Sequence, residues 1–236
     1  MAVARWRGEG AQHQGARPYQ EDSWALRTLA DDAVLAVLAD GMGGHAGGAI
    51  ASRLAVGGFI AAMENGRSLA EALDAANRAI GLAAARDSAL EGMGATLVAA
   101  VVGAAEIRWI SVGDSPLFLV TGGRLERLNA DHSMVPQIEA LVARGIISAE
   151  EAAQHPGRHT LREAVMGQPL TLIDEGRRAL GAGDQLLVCS DGILTLDEAD
   201  VVRAANQPVQ SLIDAVLAVR EPRQDNVTVI KLEQEE

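Results

Sequence analysis

Aromatic side chains are scarce, at 3% of 236 residues. A core cannot then be organised around a few large rings; many Ala, Val, Leu and Ile side chains must pack between closely spaced layers, as stacked sheets and helices allow. Positive charge is also in deficit, with 20 Lys plus Arg against 32 Asp plus Glu and a formal net charge of −12. That balance argues against a general nucleic-acid or anionic-membrane surface, so neither partner is expected. The single cysteine, Cys189, cannot form an internal disulfide and follows the apolar Leu186, Leu187 and Val188. A core-filling role and a reduced, cytoplasmic setting are expected. No apolar run is long enough to span a bilayer, and Arg5 and Arg7 precede no signal-type apolar segment, so the chain reads as soluble and unprocessed.

What is present fits one domain over residues 1–236, with 48% hydrophobic residues. Residues 33–39 (AVLAVLA) form an apolar run that stops at Asp40 and a glycine cluster, the pattern of a buried strand ending in a loop. Ala-rich stretches at 48–65 and 68–86 carry apolar residues at helical spacing, and Ser68 with Glu71 makes a capping box. Residues 96–102, 107–112 and 117–120 read as consecutive antiparallel strands of one sheet. Residues 131–176 are polar, hold three prolines and carry short helical patterns at 135–143 and 148–154; they read as a flap insertion. Beyond it, 185–190 and 226–232 have strand character, while 196–206 and 209–219 have helical character.

Asp40, Asp114, Asp191 and Asp225 each stand at a predicted strand end beside Gly, Ser or Asn. Singly, such pairs are ordinary turn formers. Asp40, Asp191 and Asp225 could also converge at one sheet edge, where their repulsion would call for hard divalent cations such as Mg²⁺ or Mn²⁺. Two ions roughly 3.5–4 Å apart can share and activate a water in line with a phosphoryl group.

The ordered segments Arg17-Pro18-Tyr19-Gln20-Glu21-Asp22, Asp40-Gly41-Met42-Gly43-Gly44, Gly94-Ala95-Thr96-Leu97, Val112-Gly113-Asp114-Ser115, Ser190-Asp191-Gly192 and Asp225-Asn226-Val227-Thr228 resemble those of the PP2C-like (PPM) phosphatases, bacterial branch. The resemblance implies an α+β fold of four layers, αββα, with a central antiparallel β-sandwich flanked by helices. It implies hydrolysis of phosphoserine and phosphothreonine esters by a metal-activated water. Asp40 would bridge two ions, Mn²⁺ or Mg²⁺; the Gly41 carbonyl would bind one, and Asp191 with Asp225 the other. Asp22 would act behind these ligands or through water. Arg17 matches the family's phosphate-binding arginine, and Asp114, with Asp191, the residues that hold a third ion in several bacterial members. The implied partners are phosphorylated proteins, with a serine/threonine kinase as opponent, and a monomer is expected. The flap resembles that of bacterial phosphatases that work beside dedicated kinases, some in type VI secretion clusters.

Several residues depart from that pattern. Met42 stands where animal members carry a histidine proposed as general acid, and a thioether has no proton to give. Gln20 replaces a usual Asn, and Pro116 a common Arg. His45 lies close by but is assigned no role. The glycines from 41 to 48 lack the Lys-Ser/Thr ending of a nucleotide loop. His155 and His159 are separated by Pro156 and Gly157, which break the helix that a zinc-binding pair would need. Two other functions fit parts of the sequence: a catalytically silent relative that docks phosphoproteins, which turnover would exclude, and an acidic-loop protein holding structural Ca²⁺, which would release no phosphate.

Overall fold

The computed structural model describes residues 5–30, 32–43 and 47–235. Its elements are β1 (Trp6–His13), β2 (Asp22–Thr28), β3 (Val34–Met42), α1 (Gly47–Glu64), α2 (Leu69–Ala84), β4 (Gly94–Ala95), β5 (Leu97–Val102), β6 (Glu106–Val112), β7 (Leu117–Thr121) and β8 (Arg124–Arg127). There follow α3 (Val135–Ala143), α4 (Ala149–Ala153), β9 (Asp174–Ala179), β10 (Gln185–Cys189), α5 (Glu198–Ala205), α6 (Gln210–Val219) and β11 (Val227–Gln234). One antiparallel sheet runs β1-β11-β10-β7-β8; the other runs β2-β3-β5-β6-β9, with β4 paired to β3.

Side chains of a strand alternate between faces, so a strand buried on both sides is apolar throughout. In β3, Leu35, Val37 and Ala39 face α1 and α2, where Phe59, Leu73 and Ile80 close the layer. The alternate residues Val34, Ala36 and Leu38 face the second sheet, against Leu117, Leu119, Leu186, Val188, Ile230 and Leu232. The far face of that sheet packs Phe118, Leu187, Cys189 and Val229 under Leu212, Ile213 and Val216 of α6 and Val201 of α5. Three stacked cores produce the expected αββα architecture, and each large aliphatic or aromatic side chain fully buried in them contributes about 1.5–3 kcal/mol. The expected capping box is present: Ser68 Oγ accepts from the Glu71 amide at 3.3 Å, and Glu71 Oε2 accepts from the Ser68 amide at 2.9 Å.

All three tryptophans lie at the layer between the sheets, Trp6 and Trp109 within it and Trp24 packed against it. The Trp109 indole N–H donates to Asp174 at 2.8 Å. Glycine makes room for the rings, since a Cβ on Gly10 would fall on Trp24 and one on Gly176 on Trp109. At the open side, Arg178 of β9 donates to both carboxylate oxygens of Glu126 of β8, at 3.0 and 3.1 Å, and so clasps the edge strands of the two sheets.

One strand expectation is corrected. β5 and β6 pair as expected, but β7 does not continue their sheet; it pairs with β10 and β8 in the other. Gly113, at φ 101°, and Pro116 carry the chain across the sandwich between β6 and β7. Residues 128–173 join β8 to β9 and hold α3 and α4; Asp174, Glu175 and Gly176, within the expected insertion, pair with β6 instead.

Candidate metal centre

Antiparallel pairing decides where the acidic residues meet. Asp22 opens β2 and is the register partner of Asp40 near the end of β3. Asp191 follows β10 and Asp225 precedes β11, and those two strands pair antiparallel. Asp114 sits in the crossing between the sheets. The carboxylates therefore meet at one end of the sandwich, supplied by both sheets. This corrects the expectation of a single sheet edge, and its cause is that β10 and β11 lie across the core from β3.

Hydrogen bonds tie the two halves together through Asp22, which is buried. Its Oδ2 accepts from Thr228 Oγ1 at 2.6 Å and Ser190 Oγ at 2.8 Å, both from the opposite sheet. The Asp40 amide donates to Thr96 Oγ1 at 3.0 Å, and that hydroxyl meets Ser115 Oγ at 2.7 Å. The threonine and serine of two recognised segments thus brace the ends of β3 and the Asp114 loop. Arg127 donates to the Asp114 carbonyl at 2.7 Å and pairs with Asp131 at 3.2 Å.

Burial disfavours the charged form of Asp40, Asp191, Asp22 and Asp114. Burial raises Asp40 well above the usual carboxylate range, aided by the charges of Asp22, Asp191, Asp225 and Asp114. Asp191 is pushed up to about 7 by burial, then by Asp114, Asp225 and Asp22. Asp22 rises to about 6, burial outweighing the hydrogen bonds from Thr228 and Ser190. Asp114 is raised by burial and by Asp131. These acids are costly to ionise together unless a cation joins them.

Among the described residues three carboxylate oxygens are buried without a partner: Asp22 Oδ1, Asp191 Oδ1 and Glu21 Oε1. Glu21 was not among the residues singled out in the sequence, although it stands beside Asp22. Gly48, in the first turn of α1, brings it into the site: a Cβ there would strike Glu21 Oε1 and lie 2.8 Å from the Gly41 carbonyl oxygen. A glycine thus leaves open a cradle between two oxygen donors. Among the described residues no group of three or more His, Cys, Asp or Glu is placed so that it could hold a metal ion as it stands. Both oxygens of Asp225 are engaged, one by Arg17 and one by the Asn226 amide at 2.8 Å. The unpaired buried oxygens belong to hard, anionic side chains, whose donor chemistry fits Mg²⁺ or Mn²⁺.

Arg17 is exposed on the loop between β1 and β2, its guanidinium on Asp225 at the rim. Gln20 Oε1 accepts from the Asp22 amide at 3.0 Å, so the departure from asparagine still caps this turn. Met42 pairs with Gly94 in β4, and its methyl and the Met166 side chain both flank that glycine. His45 lies outside the described residues. His155 Nδ1 accepts from the Gly157 amide at 3.1 Å, closing a turn. Cys189 is fully buried in the α5/α6 layer, and burial raises its thiol.

Known proteins resemble this chain along most of its length. The chain is 35% identical over 231 residues to the serine/threonine protein phosphatase PstP of Mycobacterium tuberculosis; the match covers 89% of this chain but 43% of that protein's length. It is 29% identical to the serine/threonine phosphatase stp of Listeria monocytogenes, over 93% of this chain and 92% of that one. A crystal structure of the PstP catalytic domain in complex with two manganese ions superposes with a TM-score of 0.81 at 28% identity, covering 99% of this chain and 100% of that chain. Residues 8–229 match the protein phosphatase 2C family model, and the chain belongs to the protein phosphatase 2C family.

Proposed function

We propose that this chain hydrolyses phosphoserine and phosphothreonine monoesters on proteins, using two divalent ions, Mn²⁺ or Mg²⁺. The observation that carries the reading is the gathering of Asp22, Asp40, Asp191 and Asp225 at one end of the sandwich, with buried unpaired oxygens among them. Asp40 would bridge the ions, with the Gly41 carbonyl on one and Asp191 and Asp225 on the other. Asp22, held by Thr228 and Ser190, would act from behind or through water, and Glu21 joins the donor set beside Gly41. Bound ions would supply a polarised water for attack on phosphorus and charge to offset the phosphoryl oxygens.

The chain's own residues would do the rest. Arg17, exposed at the rim, can turn its fork from Asp225 to two phosphate oxygens and orient the ester. Met42 offers no proton, so no side chain at that position protonates the leaving alkoxide. A third ion would fall to Asp114 and Asp191, for Asp114 is the strongest charge acting on Asp191. The substrates would be products of serine/threonine kinases, and we expect a monomer in the cytoplasm. No helix among the described residues is long and apolar enough to cross a membrane. The test is phosphate release from phosphothreonine peptides with and without Mn²⁺. Metal-dependent turnover, lost with EDTA, is expected; no release under any divalent ion overturns the reading.

A further inference from the structure

We infer that Asn226 is a positioning residue that clamps the loop carrying Arg17 at both of its ends, an inference that rests on the phosphatase reading above. Residues 14–20 between β1 and β2 have no regular structure, and Arg17, Pro18 and Tyr19 are exposed. Apolar packing therefore does little to hold the loop. Asn226 is 3% exposed and uses its whole amide on this segment. Its Nδ2 donates to the Gln14 carbonyl at 2.7 Å and to the Tyr19 carbonyl at 3.0 Å, so one NH₂ group bridges the two ends of the Arg17 turn. Its Oδ1 accepts from the Glu21 amide at 2.7 Å.

Neighbouring contacts reinforce the seat. The Ala16 amide donates to the Gln224 carbonyl at 2.8 Å, and Gly15, at φ 65°, lies so close to the carbonyls of Gln224 and Asp225 that a Cβ would collide with both. Within the loop, Gln14 Nε2 donates to the Arg17 carbonyl at 2.7 Å. Two donors and an acceptor on a short planar side chain are what asparagine supplies; aspartate keeps the acceptor but cannot donate. Because Asn226 follows Asp225 directly, the clamp fixes the arginine loop to the entry of β11, and so sets the guanidinium beside the carboxylates. A long, exposed arginine on an untethered loop would lose more entropy when it grips phosphate.

The clamp is tested by kinetics on a phosphothreonine peptide with Mn²⁺, comparing wild type, Asn226→Asp, Asn226→Ala, Arg17→Ala and the doubles that combine Arg17→Ala with each Asn226 variant. Mn²⁺ affinity is measured in parallel by calorimetry. Asn226→Asp breaks the two loop bonds and can keep the Glu21 bond; it should raise KM about tenfold with kcat within about twofold. Asn226→Ala should do the same, which separates lost donors from added charge. In the Arg17→Ala background either change should raise KM by less than about twofold, because the loop then has nothing to place. Multiplying effects in the doubles, or an unchanged KM in both single variants, overturn the clamp. Hydrogen exchange over residues 14–20 gives a second readout free of turnover and usable if Asn226→Ala folds poorly: faster exchange is expected in Asn226→Asp, and wild-type protection there overturns it. If wild type releases no phosphate, the phosphatase reading fails by itself, and exchange still decides the clamp.

Discussion

Replacing Asp191 by asparagine should stabilise the metal-free protein while it removes activity, a combination that ordinary loss of a structural residue does not produce. Asp191 Oδ1 is buried without a partner, and burial pushes its pKa up to about 7 from the ordinary carboxyl value of 3.8. The sign follows from linkage. Below the unfolded value the acid is protonated in both states, and it contributes no pH dependence. As pH rises from there to about 7, the unfolded chain releases its proton while the folded one keeps it, so stability falls; above about 7 the full cost is in place. A shift of this size corresponds to about 4 kcal/mol, and an amide with imperfect hydrogen bonding should recover about 2–3 kcal/mol of it. The assay is thermal or urea unfolding in EDTA at pH 4.5 and pH 8. The advantage of the Asp191→Asn protein over wild type should be small at the lower pH and grow several-fold at the higher, while Mn²⁺ should stabilise wild type far more than the variant. Phosphopeptide turnover should fall by about a thousandfold or more. Equal stability at pH 8, or turnover near wild type, would refute the placement of Asp191 in the centre.

Other residues give narrower tests. Arg17→Ala should raise KM for a phosphopeptide about tenfold with a smaller effect on kcat; collapsed kcat at unchanged KM would move Arg17 to the transition state. Gly48→Ala puts a methyl between Glu21 Oε1 and the Gly41 carbonyl; a tenfold or greater weakening of Mn²⁺ binding by calorimetry is expected, together with a lower unfolding temperature, because the Gly41 backbone must shift to admit the methyl. Thr228→Val removes the 2.6 Å bond to Asp22. It should destabilise the fold by about 1–3 kcal/mol in urea unfolding and reduce activity, and a silent variant would argue against Asp22 as the tie between the sheets.

The layered architecture was legible because central strands are sandwiched on both faces. The runs that became β3, β5, β6, β7, β10 and β11 are each flanked by other strands, and burial on both sides demands the unbroken apolar character visible in AVLAVLA or LVAAVV. The strands that went unread include β1, β8, β2 and β9, the four edges of the two sheets. DEGRRA in β9 and RLER in β8 are polar because one neighbour is missing and much of the strand meets solvent, and charge on an edge also discourages pairing with another chain. Their strand form comes from the partner across the ladder, which local composition does not record.

The site divides along the same line. Asp40, Asp114, Asp191 and Asp225 were each marked in the sequence by a predicted strand end or start beside Gly, Ser or Asn, since the turn chemistry is local, while Asp22 came from the family order of the segments. The sequence alone therefore determined the residue types, the strand ends that carry them and the metal chemistry they imply. Only the tertiary structure decided that the acids come from two facing sheets, that Thr228 and Ser190 reach across to hold Asp22, that Glu21 turns inward against Gly48, and that Asn226 closes on both ends of the Arg17 loop. The physical reason is distance along the chain: Asp22 and Thr228 meet across 206 residues, and contacts of that separation are set by how the sheets stack, not by any pattern in neighbouring residues.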